Sequence, residues 1–237
     1  LSNLTNLSNL TNLKLTKGNF KDLKEIAVKN GFSKVSGILF DLGVSTHQLL
    51  EEERGFSFNS DRLLDMRMDP DLKVTAQDLV NGLNEGELYE LFTKYGEEQR
   101  SWAIARALVR QRSLRPIKTG RELAELIMRI KSIKRMRREK RHPATRVFQA
   151  LRIAVNDDLN NLKAALPQAV ELLEKDGRLV VISFHSLEDR IVKNFFKEEQ
   201  EKGFLEILTK KPVEPSLREV ENNQKSRSAK MRIGKRR

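Results

Sequence analysis

The sequence predicts an α/β protein whose sheet domain is split by an all-helical insertion. Strand-like segments lie near both ends of the 237 residues, and the stretch from 75 to 146 carries only helical periodicity. Near the start, two strand-like runs flank a helix-length segment, which implies a parallel pair.

The first twelve residues repeat Leu-Ser-Asn-Leu-Thr-Asn twice, too few copies to stabilise a solenoid. Leu13 to Phe20 alternates as a short strand does and stops at Gly18, and a helix is expected over 21–30, ended by Gly31. Val35 to Phe40 reads as a buried strand running into Asp41-Leu42-Gly43. Strand, helix and strand in that order make a βαβ unit. From 75 onward Trp102, Ala105 and Val109 share one helix face, and Leu123, Leu126, Ile127 and Ile130 recur at i, i+3, i+4, i+7. A long amphipathic helix is expected from Thr145 through Phe148, Leu151, Val155, Leu159 and Leu162, interrupted or restarted at Pro167. Arg178 to Phe184 is the clearest strand, followed by a helix over 187–202, a short strand near 204–209 and a polar tail. The expected domains are 1–74 with 147–237, carrying the sheet, and 75–146, the helical insertion.

Composition is globular but charge-rich: 38% of residues are apolar, 33% charged and 6% aromatic. No apolar run approaches the roughly 20 residues of a membrane-spanning helix, so a soluble, cytoplasmic protein without membrane association is expected. With no cysteine, disulfides, thiolate metal sites and cysteine nucleophiles are excluded. The net charge of +12 is concentrated: residues 100–146 carry +13 and residues 210–237 carry +7, leaving the remainder at −8. Eight basic residues against Glu139 alone in 129–141 point to a polyanion, because Lys and Arg that neutralise phosphates release condensed counterions. The basic end of the chain reads as a solvated tail.

In a parallel sheet, ligands bind beyond the carboxyl ends of the strands. Polar residues stand at three such ends: Gly18-Asn19-Phe20, Asp41-Leu42-Gly43-Val44-Ser45 and Ser183-Phe184-His185-Ser186. Asp41 either caps a turn or faces a ligand; Phe20 is either a core residue or an aromatic face for a flat ring. The aperiodic stretch Arg54-Gly55-Phe56-Ser57-Phe58 to Asp65-Met66-Arg67-Met68-Asp69-Pro70 is dense in aromatics, methionines, arginines and acids, which suits a functional loop, although the methionines also suit a core edge. His47, His142 and His185 lack metal-ligand spacing, and Ser183, His185 and Asp189 lie too close in sequence for a triad.

Asp41-Leu-Gly-Val-Ser, Glu53-Arg-Gly-Phe-Ser-Phe, Leu64-Asp-Met-Arg-Met-Asp, Tyr95-Gly-Glu-Glu, His142-Pro-Ala-Thr-Arg, Phe148-Gln-Ala-Leu-Arg-Ile-Ala-Val-Asn, Ile182-Ser-Phe-His-Ser-Leu-Glu-Asp-Arg-Ile-Val-Lys and Arg227-Ser-Ala-Lys-Met-Arg follow one another along the chain. Together they resemble the MraW/RsmH family of S-adenosylmethionine-dependent methyltransferases, which act on N4 of a cytidine in small-subunit ribosomal RNA. The resemblance implies a Rossmann-like methyltransferase sheet with an inserted helical domain, S-adenosyl-L-methionine as cofactor, and ribosomal RNA, within a ribosomal subunit particle, as partner. It places cofactor contacts on Phe20, Asp41 and Gln48, with RNA near the helical insertion.

Three departures accompany the resemblance. The family's opening strand, its glycine-rich loop and its ribose-holding acid have no counterpart here, so a first βαβ unit is expected to be missing and cofactor binding by this chain weak. A non-catalytic RNA-binding chain is therefore the alternative. His47 and Gln224 replace prolines, and Arg62-Leu63 replaces a Gly-Pro turn.

The cytosine amino group is a weak nucleophile, since its lone pair is delocalised into the ring, and transfer depends on alignment and on an acceptor for its proton. Asp41 is the candidate acceptor, ahead of Ser183 and His185. The base must leave its stack, and Arg54, Phe56, Arg67, Arg135, Arg137, Arg138, His142, Arg146 and His185 are the candidates for holding the RNA.

Overall fold

A computed structural model of the chain describes residues 12–43, 55–131 and 142–237. Its elements are α1 (Leu23–Lys29), β1 (Val35–Asp41), α2 (Ala76–Gly82), α3 (Glu85–Lys94), α4 (Ser101–Leu114), α5 (Gly120–Ile130), α6 (Thr145–Asn156), α7 (Asp158–Leu172), β2 (Leu173–Ser183), α8 (Ser186–Glu201), β3 (Leu205–Ile207), α9 (Leu217–Asn222) and β4 (Lys230–Arg236). The chain divides into two compact units, Leu1–Leu42 with Leu159–Arg237, and Gly43–Asp158.

The first unit is a sheet of order β1-β2-β4-β3. β1 runs parallel to β2, and β4 is antiparallel to both β2 and β3. Alternation puts Ile38, Phe40, Leu179 and Val181 on one face, where Leu162, Leu166 and Ala169 of α7 and Val192 and Phe196 of α8 cover them. Each such large side chain contributes about 1.5–3 kcal/mol on burial. On β1 the opposite face, with Gly37, Leu39 and Asp41, is exposed.

Two expectations fail here for stated reasons. Residues 13–20 form no strand: Leu13 and Leu15 stay 41% and 55% exposed, so their alternation gains no burial. A 3-10 turn (Phe20–Asp22), capped by Asn19, leads instead into α1, and the expected βαβ unit is not formed; the connection between parallel strands β1 and β2 contains the entire second unit followed by α7. The expected polar tail contains β4, an inner strand. Arg232 can lie buried there because Asp189 of α8 receives its guanidinium at 2.6 and 3.1 Å, and Gly234 leaves room for Phe196 and Leu205. Lys235 pairs with Asp176 and Glu206, so part of the +7 of this segment is neutralised within the sheet.

The second unit packs α2–α6 around Leu88, Phe92, Ile104, Leu108, Leu123 and Leu151. Capping boxes start three of its helices, Thr75 with Asp78, Asn84 with Glu87 and Thr119 with Glu122, and satisfy donors that a helix start leaves open. Phe56, Leu64 and Met66 of the loop and Val147 and Phe148 of α6 join this core, so segments 55–74 and 147–158, expected with the sheet domain, fall within the helical unit. The long helix breaks at Asp157, which takes a left-handed φ of 54°, rather than at Pro167, which α7 accommodates at an exposed position. The break follows from burial: Phe148, Leu151 and Val155 serve one core, Leu162 and Leu166 the other. At Arg62-Leu63, where the resemblance implied a Gly-Pro turn, serine hydroxyls shape the loop: Ser57 Oγ accepts from Asn59 N–H and Ser60 Oγ from Arg62 N–H.

Candidate functional site

In the sheet unit, the parallel pair ends where Asp41 stands beside Ile182 and Leu42 N–H donates to the Ile182 carbonyl at 3.0 Å. The Asp41 side chain is exposed. Phe20 is half-buried and meets Phe40 edge-on, with centroids 6.0 Å apart. Because neighbouring strand residues point to opposite faces, Phe20 lies on the covered face and Asp41 leaves β1 on the open one. Both lie near the end of β1, but on opposite faces of the sheet, so the described residues do not bring the ring and the carboxylate onto one wall. Gln48 lies outside the described residues.

The neighbouring strand end is closed. Ser183 is buried and donates to the Lys230 carbonyl at 3.3 Å. His185 caps α8: its Nδ1 accepts from Glu188 N–H at 3.3 Å, while the Glu188 carboxylate accepts from Phe184 N–H and His185 N–H. The His185 side chain is only 7% exposed, so the residue offered as an RNA contact is engaged in a helix start.

In the helical unit, Phe56 is buried in the core. Arg67 is gripped by its own loop, with Asp65 taking Nε and Nη2 at 2.7 and 2.9 Å and the Pro70 and Leu72 carbonyls taking Nη1. Both were candidates for RNA; in the structure both shape the loop. The loop is held from α6 by Asn156, whose Nδ2 donates to the Met66 carbonyl at 2.8 Å and whose Oδ1 accepts from Met68 N–H at 2.7 Å. Between these contacts Met66 adopts a left-handed φ of 61° and is buried. Asn156→Ala withdraws both bonds from a buried site and is expected to cost about 1–3 kcal/mol in urea unfolding. An unchanged midpoint would show that the loop holds itself.

The Tyr95-Gly-Glu-Glu motif joins α3 and α4 to the first turns of α6. Gln149 Nε2 donates to the Tyr95 carbonyl, and a Cβ on Gly96 would lie 2.6 Å from the Arg146 carbonyl, so only glycine permits that approach. Glu98 and Lys131 form a buried ion pair at 2.7 Å, with side chains 2% and 8% exposed, and Lys131 Nζ also donates to the Pro143 carbonyl at 2.7 Å. Lys131, within the basic run, and Pro143, just after it, are thus joined by one ammonium. Arg54, Arg135, Arg137 and Arg138 lie outside the described residues. Arg146 is exposed.

His142 stacks on Phe58 with centroids 4.4 Å apart and planes 11° from parallel, and its Nδ1 accepts from Ala144 N–H. Burial, and then the Lys131 charge, lower its pKa below the usual range. At neutral pH it is an uncharged ring. Since the unfolded chain protonates first, near pH 6.5, the wild type is expected to lose stability as pH falls from there through the lowered folded value. Denaturation midpoints of wild type and His142→Gln should therefore diverge below that pH; parallel curves refute this linkage.

Asn156, Glu98 and Phe58 were missed as organising residues. Their available signals were a polar side chain closing an apolar helix and a lysine four positions after Ile127 on a buried face.

The sequence of the MraW methylase family matches residues 2–237. Ribosomal RNA small subunit methyltransferase H of Sulfurihydrogenibium sp. is 50% identical over 222 residues, 94% of this chain and 75% of that protein. The proteins of the same name from Coprothermobacter proteolyticus and Thermomicrobium roseum are each 50% identical, covering 94% and 92% of this chain and 73% and 71% of theirs. With its mixed α/β architecture and this near full-length match, the chain belongs to the MraW methylase family.

Proposed function

We propose that this protein transfers a methyl group from S-adenosylmethionine to N4 of a cytidine in small-subunit ribosomal RNA, with the RNA in a ribosomal subunit particle. The observation that carries the proposal is 50% identity, over 94% of this chain, to a protein named for methylating small-subunit ribosomal RNA. The accessible carboxylate at the end of β1 supports it chemically. Bound S-adenosylmethionine supplies an electrophilic methyl carbon. As the methyl carbon leaves sulfur for N4, Asp41 would accept a hydrogen bond from the cytidine amino group, favour a pyramidal nitrogen and take its proton, and Phe20 would offer a ring to the adenine. The helical unit, with the +13 of residues 100–146, holds the RNA backbone.

The test is transfer of labelled methyl to small-subunit particles, with the modified nucleoside identified by mass spectrometry. N4-methylcytidine at one position is the expected product. RNA binding without incorporation would support instead the non-catalytic reading, in which the chain grips RNA and lacks cofactor affinity.

A further inference from the structure

The helical unit carries an aromatic site that the reaction does not account for. A groove of about 480 Å3 between α3 and α4 is lined by Tyr89, Thr93, Gln99, Arg100 and Trp102, among others. The two aromatic rings meet edge to face, centroids 5.3 Å apart and planes at 80°, which leaves Trp102 46% and Tyr89 40% exposed. Trp102 is the sequence's one tryptophan, and water contact over nearly half of it forgoes burial that the adjacent core offers. Arg106 lies one turn further along α4, its guanidinium 5.8 Å from the Trp102 ring centre and its Nε 3.5 Å from Glu85 Oε1, a long pair open to solvent that a phosphate can replace, and Arg110 follows at the next turn on the same exposed face. Thr93 and Gln99 are exposed at the rim of the groove.

We infer that this groove holds one unpaired RNA nucleobase stacked on Trp102 with its edge toward Tyr89, and that Arg106 and Arg110 face the flanking phosphates. The chemistry selects the ligand. Exposed aromatics provide a surface for the π-face of any base, and arginines spaced one helical turn apart follow a phosphodiester backbone. A protein partner would meet Arg106 and Arg110 favourably only if acidic, whereas RNA combines the anionic backbone with the flat apolar base. The inference rests on the RNA-binding part of the proposed function and adds a place where a nucleotide other than the methylated one is held.

Because the only tryptophan lies in the groove, its emission reports on it directly. The full chain is titrated with a fluorescein-labelled single-stranded oligouridylate of about a dozen nucleotides, following label anisotropy and tryptophan emission in parallel. Quenching that saturates with the anisotropy supports the site, as does affinity about tenfold lower in Trp102→Ala, with Trp102→Phe close to wild type and circular dichroism unchanged in both. Arg106→Ala should lower the log-log salt slope by roughly 0.7. Anisotropy without quenching, together with unchanged affinity in Trp102→Ala, overturns the site and leaves the RNA-binding reading standing. No anisotropy change even at low salt overturns both. Emission that responds to protein concentration but not to RNA, and self-association lost in Trp102→Ala, would make this face a protein contact and overturn the inference.

Discussion

Glu98→Ala is expected to lower the unfolding free energy by about 3–5 kcal/mol, enough to unfold a marginal domain near physiological temperature. The reason lies in what remains. The substitution leaves the Lys131 ammonium inside the helical unit with the Pro143 carbonyl where it had a carboxylate as well, and it removes the acceptor of Arg100 N–H. A buried charge stripped of its counter-charge costs far more than the pair contributes when intact. Glu98→Leu combined with Lys131→Met should therefore recover most of the loss, or exceed wild type, because two apolar side chains need no solvation. The comparison separates stability from function: the double variant keeps the core but releases Pro143 from Lys131, so the basic run is no longer joined to Pro143 by one ammonium. Urea midpoints of wild type, Glu98→Leu, Lys131→Met and the double variant close the thermodynamic cycle. Additive single effects would show that the two side chains do not act as a pair.

That pair also shows where reading the sequence succeeded and where it stopped. Helices of the middle region were legible because Leu123, Ile127 and their spacing report burial on one face, and β2 because Leu179 and Val181 alternate with half-buried residues. The break between α6 and α7 was not legible: Phe148 to Leu162 keeps one continuous stripe, and only the existence of two cores makes Asp157 a corner. β4 was hidden by its charge. Lys230, Arg232, Lys235 and Arg236 read as a solvated tail until Asp189, more than forty positions away, is known to neutralise Arg232. At the candidate site, strand-end logic located Asp41 correctly at the carboxyl end of a parallel strand, since a buried run followed by a polar residue is a local signal. The roles offered for Phe56, Arg67 and His185 rested on residue type, and residue type does not distinguish a ring facing RNA from one facing Leu64, or a free guanidinium from one already held by Asp65. Such distinctions depend on which partners the fold brings close, and those partners are remote in sequence or hidden in backbone carbonyls.

Asp41→Asn is expected to lower methyl transfer by about 10²–10⁴-fold, the usual contribution of a positioned proton acceptor, while leaving the fold intact. The structural side of this expectation is direct. The side chain is exposed, and the strand around it is fixed by backbone ladder bonds, including that of Leu42 N–H to the Ile182 carbonyl, so a surface substitution there should change stability by no more than about 0.5 kcal/mol. Asparagine preserves shape and an acceptor oxygen but cannot take a proton, which isolates the chemical role from the steric one. The kinetic constants divide the two roles proposed for this carboxylate. A fall in kcat at saturating cofactor, with the cofactor KM unchanged, assigns Asp41 to proton acceptance from the amino group. A raised cofactor KM with kcat preserved assigns it to binding the adenosyl group. Phe20→Ala is the matched control: its ring lies beside Phe40 on the face opposite Asp41, so if it also contacts the adenine, the change should raise the cofactor KM without reducing kcat at saturation, and an unchanged KM would leave it a packing residue. Full activity of Asp41→Asn at low cofactor concentration would remove the end of β1 from the reaction altogether.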